Sequence, residues 1–108
     1  MTARLTAHVW VSAYLRRLQI VGIPAYVIHR GDATAGAVLV KLALMDGTAR
    51  AYMRGFDIAT DSRIWQVLID GAEPDVDAAI ARQRGFDPDL WVLEVEDARG
   101  RDMLSEMG

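Results

Sequence analysis

Residues 37–54 read AVLVKLALMDGTARAYMR, and this stretch decides the fold that the sequence predicts. Two runs rich in strand-forming residues flank Asp46-Gly47, a dipeptide that is among the strongest short-range signals of a β-hairpin. A two-residue turn at this point places Lys41 opposite Tyr52. Because side chains alternate between the two faces of a strand, this register sorts the hairpin into a core face and an outer face. The core face then holds Val38, Val40, Leu42, Leu44, Ala49, Ala51 and Met53, and the outer face holds Leu39, Lys41, Ala43, Met45, Thr48, Arg50, Tyr52 and Arg54.

A helix is predicted before the hairpin. Residues 6–21 carry apolar side chains at the i, i+3, i+4 spacing, and Gly22 and Pro24 end the pattern. The helix has more apolar surface than one sheet face normally covers, which favours a homodimer in which a second subunit covers the rest. Burial within the same chain or by a different chain is the alternative. Arg17 lies within the apolar arc, so we expect its side chain either to extend along the apolar surface to water or to contact a carboxylate. The candidate contacts with a second subunit are Trp10, Tyr14 and Arg17.

The rest of the chain alternates turn signals with short strand or helix patterns. Strands are predicted over 25–30, 64–69 and 90–97, a short helix over 75–84, loops over 31–36 and 55–62, and a polar C-terminal tail over 98–108. For 64–69, a short helix is the alternative. The order α-β-β-β-β-α-β predicts an α+β fold in a single domain over 1–108. Its sheet is expected to be mostly antiparallel, with about five strands, and to carry the N-terminal helix and the second, short helix on one face.

The composition excludes several classes of site. The 108 residues include no cysteine, which excludes disulfides, thiolate zinc sites, iron–sulfur clusters and cysteine nucleophiles. The net charge of −3 argues against a strongly basic nucleic-acid-binding protein. The apolar stretch 5–15 is interrupted by Arg16 and Arg17 and is too short to span a bilayer, and no small-residue cleavage site follows it. The sequence therefore predicts a cytoplasmic protein with no membrane partner.

Three separated motifs resemble an uncharacterised bacterial family. They are WVSAYLRR at 10–17, RGD at 30–32 leading to AGAVLV at 35–40, and RQ at 82–83 with FDPDLWV at 86–92. On these motifs the chain is identified as a member of the domain-of-unknown-function family 1491, found mainly in alphaproteobacteria. The resemblance covers nearly the whole chain. Because the family has no assigned activity, the resemblance implies no catalytic residue, cofactor or substrate.

The residues themselves show no catalytic, cofactor-binding or metal-binding pattern. The loop 31–36 is flanked by glycines, but it lacks a lysine and leads into a strand, unlike a phosphate-binding loop. His8 and His29 lie on different elements, with no second metal ligand at i+3 or i+4. Glu94 and Glu96 share one face of the last strand, where we expect them to pair with the basic side chains of the hairpin if the two are neighbours. We predict neither a cofactor nor a metal.

The most promising surface is the outer face of the hairpin, with Lys41, Arg50, Tyr52 and Arg54. This mixture of bases and one ring suits a protein partner, and single-stranded nucleic acid is a weaker alternative because such platforms usually offer two or more rings. A face that is solvated or paired within the chain is the bland interpretation that the sequence favours for these residues, and a site for a small anion is a further alternative. The sequence thus predicts a non-enzymatic binding or accessory protein that acts through protein–protein contacts and self-associates. The alternative is a small enzyme whose site forms between subunits, from Arg50 and Arg54 with the carboxylates of the last strand or a histidine.

Overall fold

A computed structural model describes residues 5–57, 59 and 62–107, and for 55–57, 62 and 63 it describes the backbone alone. The elements in chain order are α1 (Ala7–Ile20), β1 (Ala25–His29), β2 (Val38–Ala43), β3 (Thr48–Asp57), β4 (Ser62–Ala72), α2 (Glu73–Phe86), β5 (Trp91–Glu96) and a 3₁₀ helix (Leu104–Met107). Residues 64–69 thus lie in a strand. The loop predicted over 55–62 is shorter than expected, and between β3 and β4 the structure describes only Ala59. Within the described residues, no helix combines the length and the apolar character needed to cross a membrane.

The five strands form one mixed sheet in the order β1-β5-β2-β3-β4. The pairings β1–β5, β2–β3 and β3–β4 are antiparallel, as the hairpin pattern predicts, whereas β2 and β5 are parallel. The parallel pairing arises because the chain crosses from β4 through α2 before it returns beside β2. A crossover through a helix is the usual way to connect parallel neighbours. The fold is therefore α+β, as predicted, but its sheet is mixed and not wholly antiparallel.

The two helices lie on opposite faces of the sheet, so the prediction that both pack on one face was wrong. The physical reason is that β2 and the first half of β5, near the centre of the sheet, bury apolar side chains at both odd and even positions, a pattern typical of strands covered on both sides. We call the two sides the α1 face and the α2 face. The α1 face contributes Val40, Leu42, Tyr52, Trp91, Leu93 and Val95 to one core cluster, and the α2 face contributes Leu39, Ala49, Ala51 and Val92 to the other.

The turn between β2 and β3 has three residues, 45–47, instead of the two predicted. The Leu44 N–H donates to the Thr48 carbonyl oxygen at 3.1 Å and closes the loop. Met45 and Gly47, the first and last residues of the turn, have positive φ angles of 64° and 88°, respectively. The Asp46 carboxylate accepts a hydrogen bond from the Thr48 N–H at 3.0 Å, which stabilises this longer turn.

The longer turn shifts the pairing of the hairpin by one residue. Lys41 lies opposite Ala51 instead of Tyr52. Because a one-residue shift moves the side chains of one strand to the other face relative to its partner, the predicted outer face is divided. Arg50, Tyr52 and Arg54 lie on the α1 face, whereas Lys41 lies on the α2 face. The prediction that these four residues share a face was wrong because an Asp-Gly dipeptide permits turns of more than one length.

Both ends of α1 are capped as the sequence indicates. The Thr6 hydroxyl accepts a hydrogen bond from the Val9 N–H at 3.4 Å. At the other end Gly22 has a φ of 76°, and the Ile23 N–H donates to the Leu18 carbonyl oxygen at 2.9 Å. This is the Schellman pattern, in which a glycine with positive φ lets the chain satisfy the last carbonyl groups of a helix.

The residues after β5, predicted as a polar tail, pack against α1. Leu104 is buried, and Met103 and Met107 pack on the same core cluster as the apolar stripe of α1. The Tyr14 hydroxyl donates to the Asp102 carbonyl oxygen at 2.6 Å. The C-terminal segment thus covers apolar surface of α1 for which the sequence analysis expects a second subunit.

The second helix, α2, starts two residues earlier and ends two residues later than predicted. Pro74 occupies its first turn, where the missing N–H of a proline breaks no helical hydrogen bond. The Glu73 N–H donates to the Gly47 carbonyl oxygen at 2.9 Å, so the hairpin turn caps the start of this helix. Val76 and Ile80 face the sheet, as the apolar spacing predicts.

The loop before β2 and the turn before β5 meet in a contact that leaves no room for a side chain. The Asp32 N–H donates to the Asp89 carbonyl oxygen at 3.0 Å, and the Trp91 indole N–H donates to the Asp32 carbonyl oxygen at 2.8 Å. A Cβ atom at Gly31 would lie 2.2 Å from the Asp89 carbonyl oxygen. Two carbonyl groups of the same loop accept the N–H groups of the first two residues of α1. The second and third motifs of the family resemblance therefore meet in a structural junction.

The Asp97 carboxylate fixes the chain just after β5 through hydrogen bonds with Arg101. Asp97 Oδ2 accepts from the Arg101 N–H at 2.7 Å and from Arg101 Nε at 2.9 Å, while Arg101 Nη2 donates to Oδ1 at 3.1 Å. The hydrogen bonds from the Arg101 side chain, followed by those from the backbone, lower the pKa of Asp97 to about 2 although its burial opposes this shift. The ion pair thus directs the C-terminal segment back over α1.

We expect Gly31→Ala to destabilise the protein by at least about 2 kcal/mol, because the new methyl group must displace backbone atoms of a rigid turn. The matched control is Gly85→Ala in α2, where no atom lies within 4 Å of the added Cβ. Since alanine favours helix over glycine, the control should gain up to about 0.5 kcal/mol. Urea unfolding of the three proteins measures both changes. Equal stabilities for the two variants would contradict the junction.

The pKa of Asp97 generates a pH prediction. A carboxyl with a folded-state pKa of about 2 and an ordinary value of 3.8 stabilises the fold above pH 3.8, and that contribution is lost as the pH falls through the folded-state value. Because Arg101 is partly exposed, we expect the contribution at pH 7 to be only about 1 kcal/mol. Asp97→Asn should therefore be less stable than the wild type at pH 7 and nearly equal to it at pH 2. Urea midpoints across this range test the expectation, and a constant difference would contradict it.

Candidate protein-binding site

Three of the four predicted partner-binding residues lie on the α1 face, but Tyr52 at their centre is covered. It is only 8% exposed, beneath α1 and the C-terminal segment. Burial is the main cause that raises the pKa of Tyr52, and the hydrogen bond from Arg50 partly opposes it. Arg50 Nη1 donates to the Tyr52 hydroxyl at 3.2 Å, and its Nε donates to the Asp70 carboxylate at 3.0 Å. The ring of Tyr52 is therefore not open for stacking against a base.

Arg54 lies over an aromatic cluster that joins three elements. Its guanidinium carbon is 5.3 Å from the ring centroid of Trp65 and 5.8 Å from that of Trp10. The two indole centroids are 5.2 Å apart, and Trp10 also stacks on Tyr14 at 5.0 Å. Cation–π and aromatic contacts of this kind are worth on the order of 1 kcal/mol each. Arg54 thus contributes to the packing of α1 against β3 and β4.

Lys41 lies beneath α2 and is 6% exposed. Its Nζ is 2.7 Å from Glu73 Oε2, 2.8 Å from Asp77 Oδ1 and 3.3 Å from Glu94 Oε1. Burial alone would lower the pKa of Lys41, but the hydrogen bonds to Asp77 and Glu73 and the charge of Glu94 outweigh burial and raise the pKa above its ordinary value. The predicted pairing with the hairpin is confirmed for Glu94 but not for Glu96, which accepts a hydrogen bond from the Tyr26 hydroxyl. Lys41 joins α2 to the sheet and is not a surface cation.

The three residues predicted to contact a second subunit do not form a free surface. Trp10 and Tyr14 are buried in the core of the same chain. Arg17 is half-exposed, and its Nη1 lies 3.2 Å from Glu106 Oε2. Of the two alternatives predicted for Arg17, the structure shows the contact with a carboxylate. The sheet and the C-terminal segment cover the apolar stripe of α1.

The groups of the alternative enzyme site do not converge within one chain. Arg50 and Arg54 lie on the α1 face, whereas the two glutamates of β5 project from the α2 face. His29 Nδ1 lies 2.7 Å from the Leu90 carbonyl oxygen, which can only accept, so the ring donates there. His8 is exposed on α1. Among the described residues, no group of three histidine, aspartate or glutamate side chains is placed to hold a metal ion.

The strand β1 presents an exposed apolar edge. In the described part of the chain it pairs with β5 alone. Tyr26, Val27 and Ile28 are 50%, 42% and 54% exposed. Three consecutive exposed apolar residues on an edge strand form a surface that water does not favour. This surface is the strongest candidate for a binding site.

The hydrogen-bond pattern shows which backbone groups of β1 point outward. The Glu96 N–H of β5 donates to the Pro24 carbonyl oxygen at 3.0 Å. Bonded and non-bonded pairs alternate along an antiparallel ladder, and the register pairs Tyr26 with Glu94. The backbone N–H and C=O groups of Tyr26 therefore form hydrogen bonds with β5, whereas those of Ala25 and Val27 point away from the sheet. A backbone irregularity between Val27 and His29 ends this regular pattern.

Two cavities open beside the two ends of β1. The cavity at its C-terminal end has a volume of about 310 Å³ and is lined by His29, Ala81, Arg84, Gly85 and Pro88. The cavity at its N-terminal end has a volume of about 300 Å³ and is lined by Leu15, Gln19, Ile23, Pro24 and Ala25. An unpaired strand edge with cavities beside it is what domains that bind an extended segment offer, because the backbone supplies affinity and the cavities receive side chains.

The sequence predicts β1 as a strand but does not mark it as a binding edge. The signal that could have indicated exposure is weak, because AYVIH is apolar at nearly every position and reads equally well as a buried strand. The position of β1 at the edge depends on its pairing with β5, whose partner residues lie more than 60 positions later in the chain. Local pattern does not contain that information.

The fold and the site define a three-layer α/β/α protein with a mixed five-stranded sheet and an open, apolar edge strand. The chain belongs to the family described as "Protein of unknown function (DUF1491)", whose model matches residues 5–105. This match confirms the resemblance found in the sequence.

Solved structures of the same family share the fold. A crystal structure of a DUF1491 family protein from Caulobacter crescentus CB15 is 40% identical, covers 94% of this chain and 96% of its own, and has a TM-score of 0.86. An NMR structure of a DUF1491 family protein from Caulobacter crescentus CB15 has a TM-score of 0.83, with 40% identity and 96% coverage of both chains. The solution structure of protein Atu0922 from A. tumefaciens is 31% identical, covers 87% and 86%, and has a TM-score of 0.74. No curated protein matches the chain.

The burial of the Lys41 ammonium among three carboxylates predicts how substitutions there change the free energy of unfolding. Lys41→Met should destabilise the fold by about 2–4 kcal/mol, because it leaves three carboxylates facing one another without a cation. Lys41→Met combined with Glu94→Gln should recover part of this loss, since Glu94 is the most buried of the three. Urea unfolding at pH 7 measures the series. If Lys41→Met is as stable as the wild type, Lys41 does not hold α2 on the sheet.

Proposed function

We propose that this chain is a non-enzymatic binding protein of the cytoplasm, a single domain that acts through protein–protein contacts by accepting an extended strand at the edge of β1. The observation that carries the proposal is the outward-pointing backbone of Ala25 and Val27 beside the exposed side chains of 26–28. An added strand would satisfy these groups and remove the apolar side chains from water.

Charge distinguishes β1 from β4, the other edge of the sheet. From Ala25 to Ile28, β1 carries no charged side chain. The strand β4 exposes apolar residues as well, but Asp70 lies on it and is held by Arg50 at 3.0 Å. Charged residues on an edge strand oppose pairing with another strand. The edge of β1 is therefore the one that fits a protein partner.

The energy available at this edge suits a reversible contact. Each added backbone hydrogen bond contributes about 0.5–1.5 kcal/mol net, and apolar burial contributes about 25 cal/mol per Å². The regular part of β1 is short because the irregularity after Val27 interrupts it. Affinity must then depend on side chains that enter the neighbouring cavities, which is where specificity for a partner would arise.

The basic and aromatic residues of the hairpin support the other functions less well. Arg50 is paired with Asp70, Arg54 stacks on two indoles, and Tyr52 is covered. A single-stranded nucleic acid needs open rings and a basic groove along its backbone. Protein binding at β1 uses only groups that are exposed.

The test compares affinity capture from a lysate of the source organism by tagged wild type and by the Val27→Pro variant. Proline removes the outward N–H of Val27 without removing a hydrogen bond to β5, so the fold should persist while strand addition is lost. We expect the wild type to retain one or more proteins, untagged copies of the chain included, that Val27→Pro does not retain. Circular dichroism and thermal unfolding confirm that the variant is folded.

A matched pair of lysine variants controls for the proline. Val27→Lys and Val67→Lys each place one charge on an exposed position of an edge strand, and each should change stability by less than about 0.5 kcal/mol. Capture should fall at least about tenfold for Val27→Lys and remain unchanged for Val67→Lys. Equal capture by the wild type and all three variants would overturn the proposed function.

A further inference from the structure

We infer that the strand accepted by β1 is the β1 strand of a second copy of this chain, paired antiparallel about a twofold axis at Val27. This inference rests on the proposed function and names its partner. The result is a continuous sheet of two five-stranded halves, in which each copy satisfies the open edge of the other.

The backbone of β1 is self-complementary in this arrangement. Val27 has both its N–H and its C=O directed outward, so two copies can exchange a pair of hydrogen bonds at this residue. In a bonded antiparallel pair the two Cα atoms are about 5.5 Å apart. The arrangement places Ala25 of one copy opposite His29 of the other. The outward groups of Ala25 then lie beside the second copy's strand and not in the solvent.

Charge along the α2 face also favours the antiparallel arrangement. At the start of β1, the Tyr26 hydroxyl donates to the Glu96 carboxylate at 3.1 Å, and Glu96 is bonded to no cation within the described residues. At the end of β1, the cavity wall carries Arg84 and His29. A twofold axis perpendicular to the sheet keeps the α2 faces of both copies on the same side. It therefore places Glu96 of each copy beside Arg84 of the other, so that two such contacts form in the dimer.

The size of the edge limits the strength of the dimer. A five-residue strand with two adjoining cavities buries less than a standard interface of about 1,600 Å², which is typical of weak, reversible association. We therefore expect a monomer–dimer equilibrium in the micromolar range, in which the edge of β1 becomes free on dilution.

A single introduced cysteine tests the geometry, because the natural sequence contains none. In Val27→Cys the two thiols lie across the proposed axis, and the Cα separation of about 5.5 Å is within the range that a disulfide spans. The control is Val67→Cys on β4, where Val67 is 52% exposed against 42% for Val27. Under mild oxidation at micromolar concentration, Val27→Cys should form a covalent dimer at least about tenfold faster than the control. Equal rates, or faster dimerisation of Val67→Cys, would overturn the inference.

Two charge variants test the ends of the interface without altering the strand. Glu96→Lys and Arg84→Glu should each shift the dimer dissociation constant upward about tenfold, measured by sedimentation equilibrium on the whole chain. An equimolar mixture of the two variants should restore dimerisation, because a mixed dimer pairs lysine with glutamate at one end and Glu96 with Arg84 at the other. Failure of the mixture to recover would overturn the antiparallel arrangement.

The two proposals fail in distinguishable ways. If the purified wild type remains monomeric and Val27→Cys does not cross-link, the second copy is not the occupant. If, in that case, the wild type retains a lysate protein that Val27→Pro does not retain, the edge of β1 binds a different chain and the proposed function stands. If Val27→Pro retains every protein that the wild type retains, untagged copies of the chain included, both proposals fail.

Discussion

The pairing register of β2 with β3 is the constraint on which the rest of the structure depends. The three-residue turn closed between Leu44 and Thr48 places Lys41 opposite Ala51, and it thereby assigns every side chain of the hairpin to a face. Lys41 meets the carboxylates at the start of α2 because of this assignment. Tyr52 is directed under α1 for the same reason. With a turn one residue shorter, Lys41 and Tyr52 would share a face, and the ammonium could not lie beneath α2 while the ring lies beneath α1.

The motifs that identify the family serve the backbone. Gly31, Asp32, Asp89 and Trp91 meet where the loop before β2 touches the turn before β5, and the glycine is needed because a Cβ would overlap the Asp89 carbonyl group. The same loop accepts the first N–H groups of α1. Residues from three distant parts of the chain thus determine how α1, β2 and β5 are arranged. A motif of this kind identifies a fold and carries no information about a reaction.

Several charged side chains make contacts within the chain that hold its elements together. Lys41 joins α2 to the sheet, Arg54 packs on indoles, and Arg17 and Arg101 hold the C-terminal segment. At the edge of β1, the fold leaves open a strand backbone together with its exposed apolar side chains. A small protein whose sheet has an uncharged edge of this kind is suited to association through that edge, and the twofold self-pairing of Val27 requires no further component.

The sequence by itself determined the positions of both helices and of four strands to within a few residues, because apolar periodicity and helix caps act over one or two turns of chain. For 64–69 it left a short helix as the alternative to a strand, and for Arg17 it left contact with water as the alternative to a carboxylate. It also indicated a hairpin partner for Glu94. Only the tertiary structure decided which side chains share a face, since one residue in a turn reverses that assignment without changing the local pattern. It likewise decided that residues 102–107 cover α1 and that β1 is an edge. Both depend on contacts between segments more than 60 residues apart, and the free energy of those contacts is set by the whole packed core and not by any local stretch.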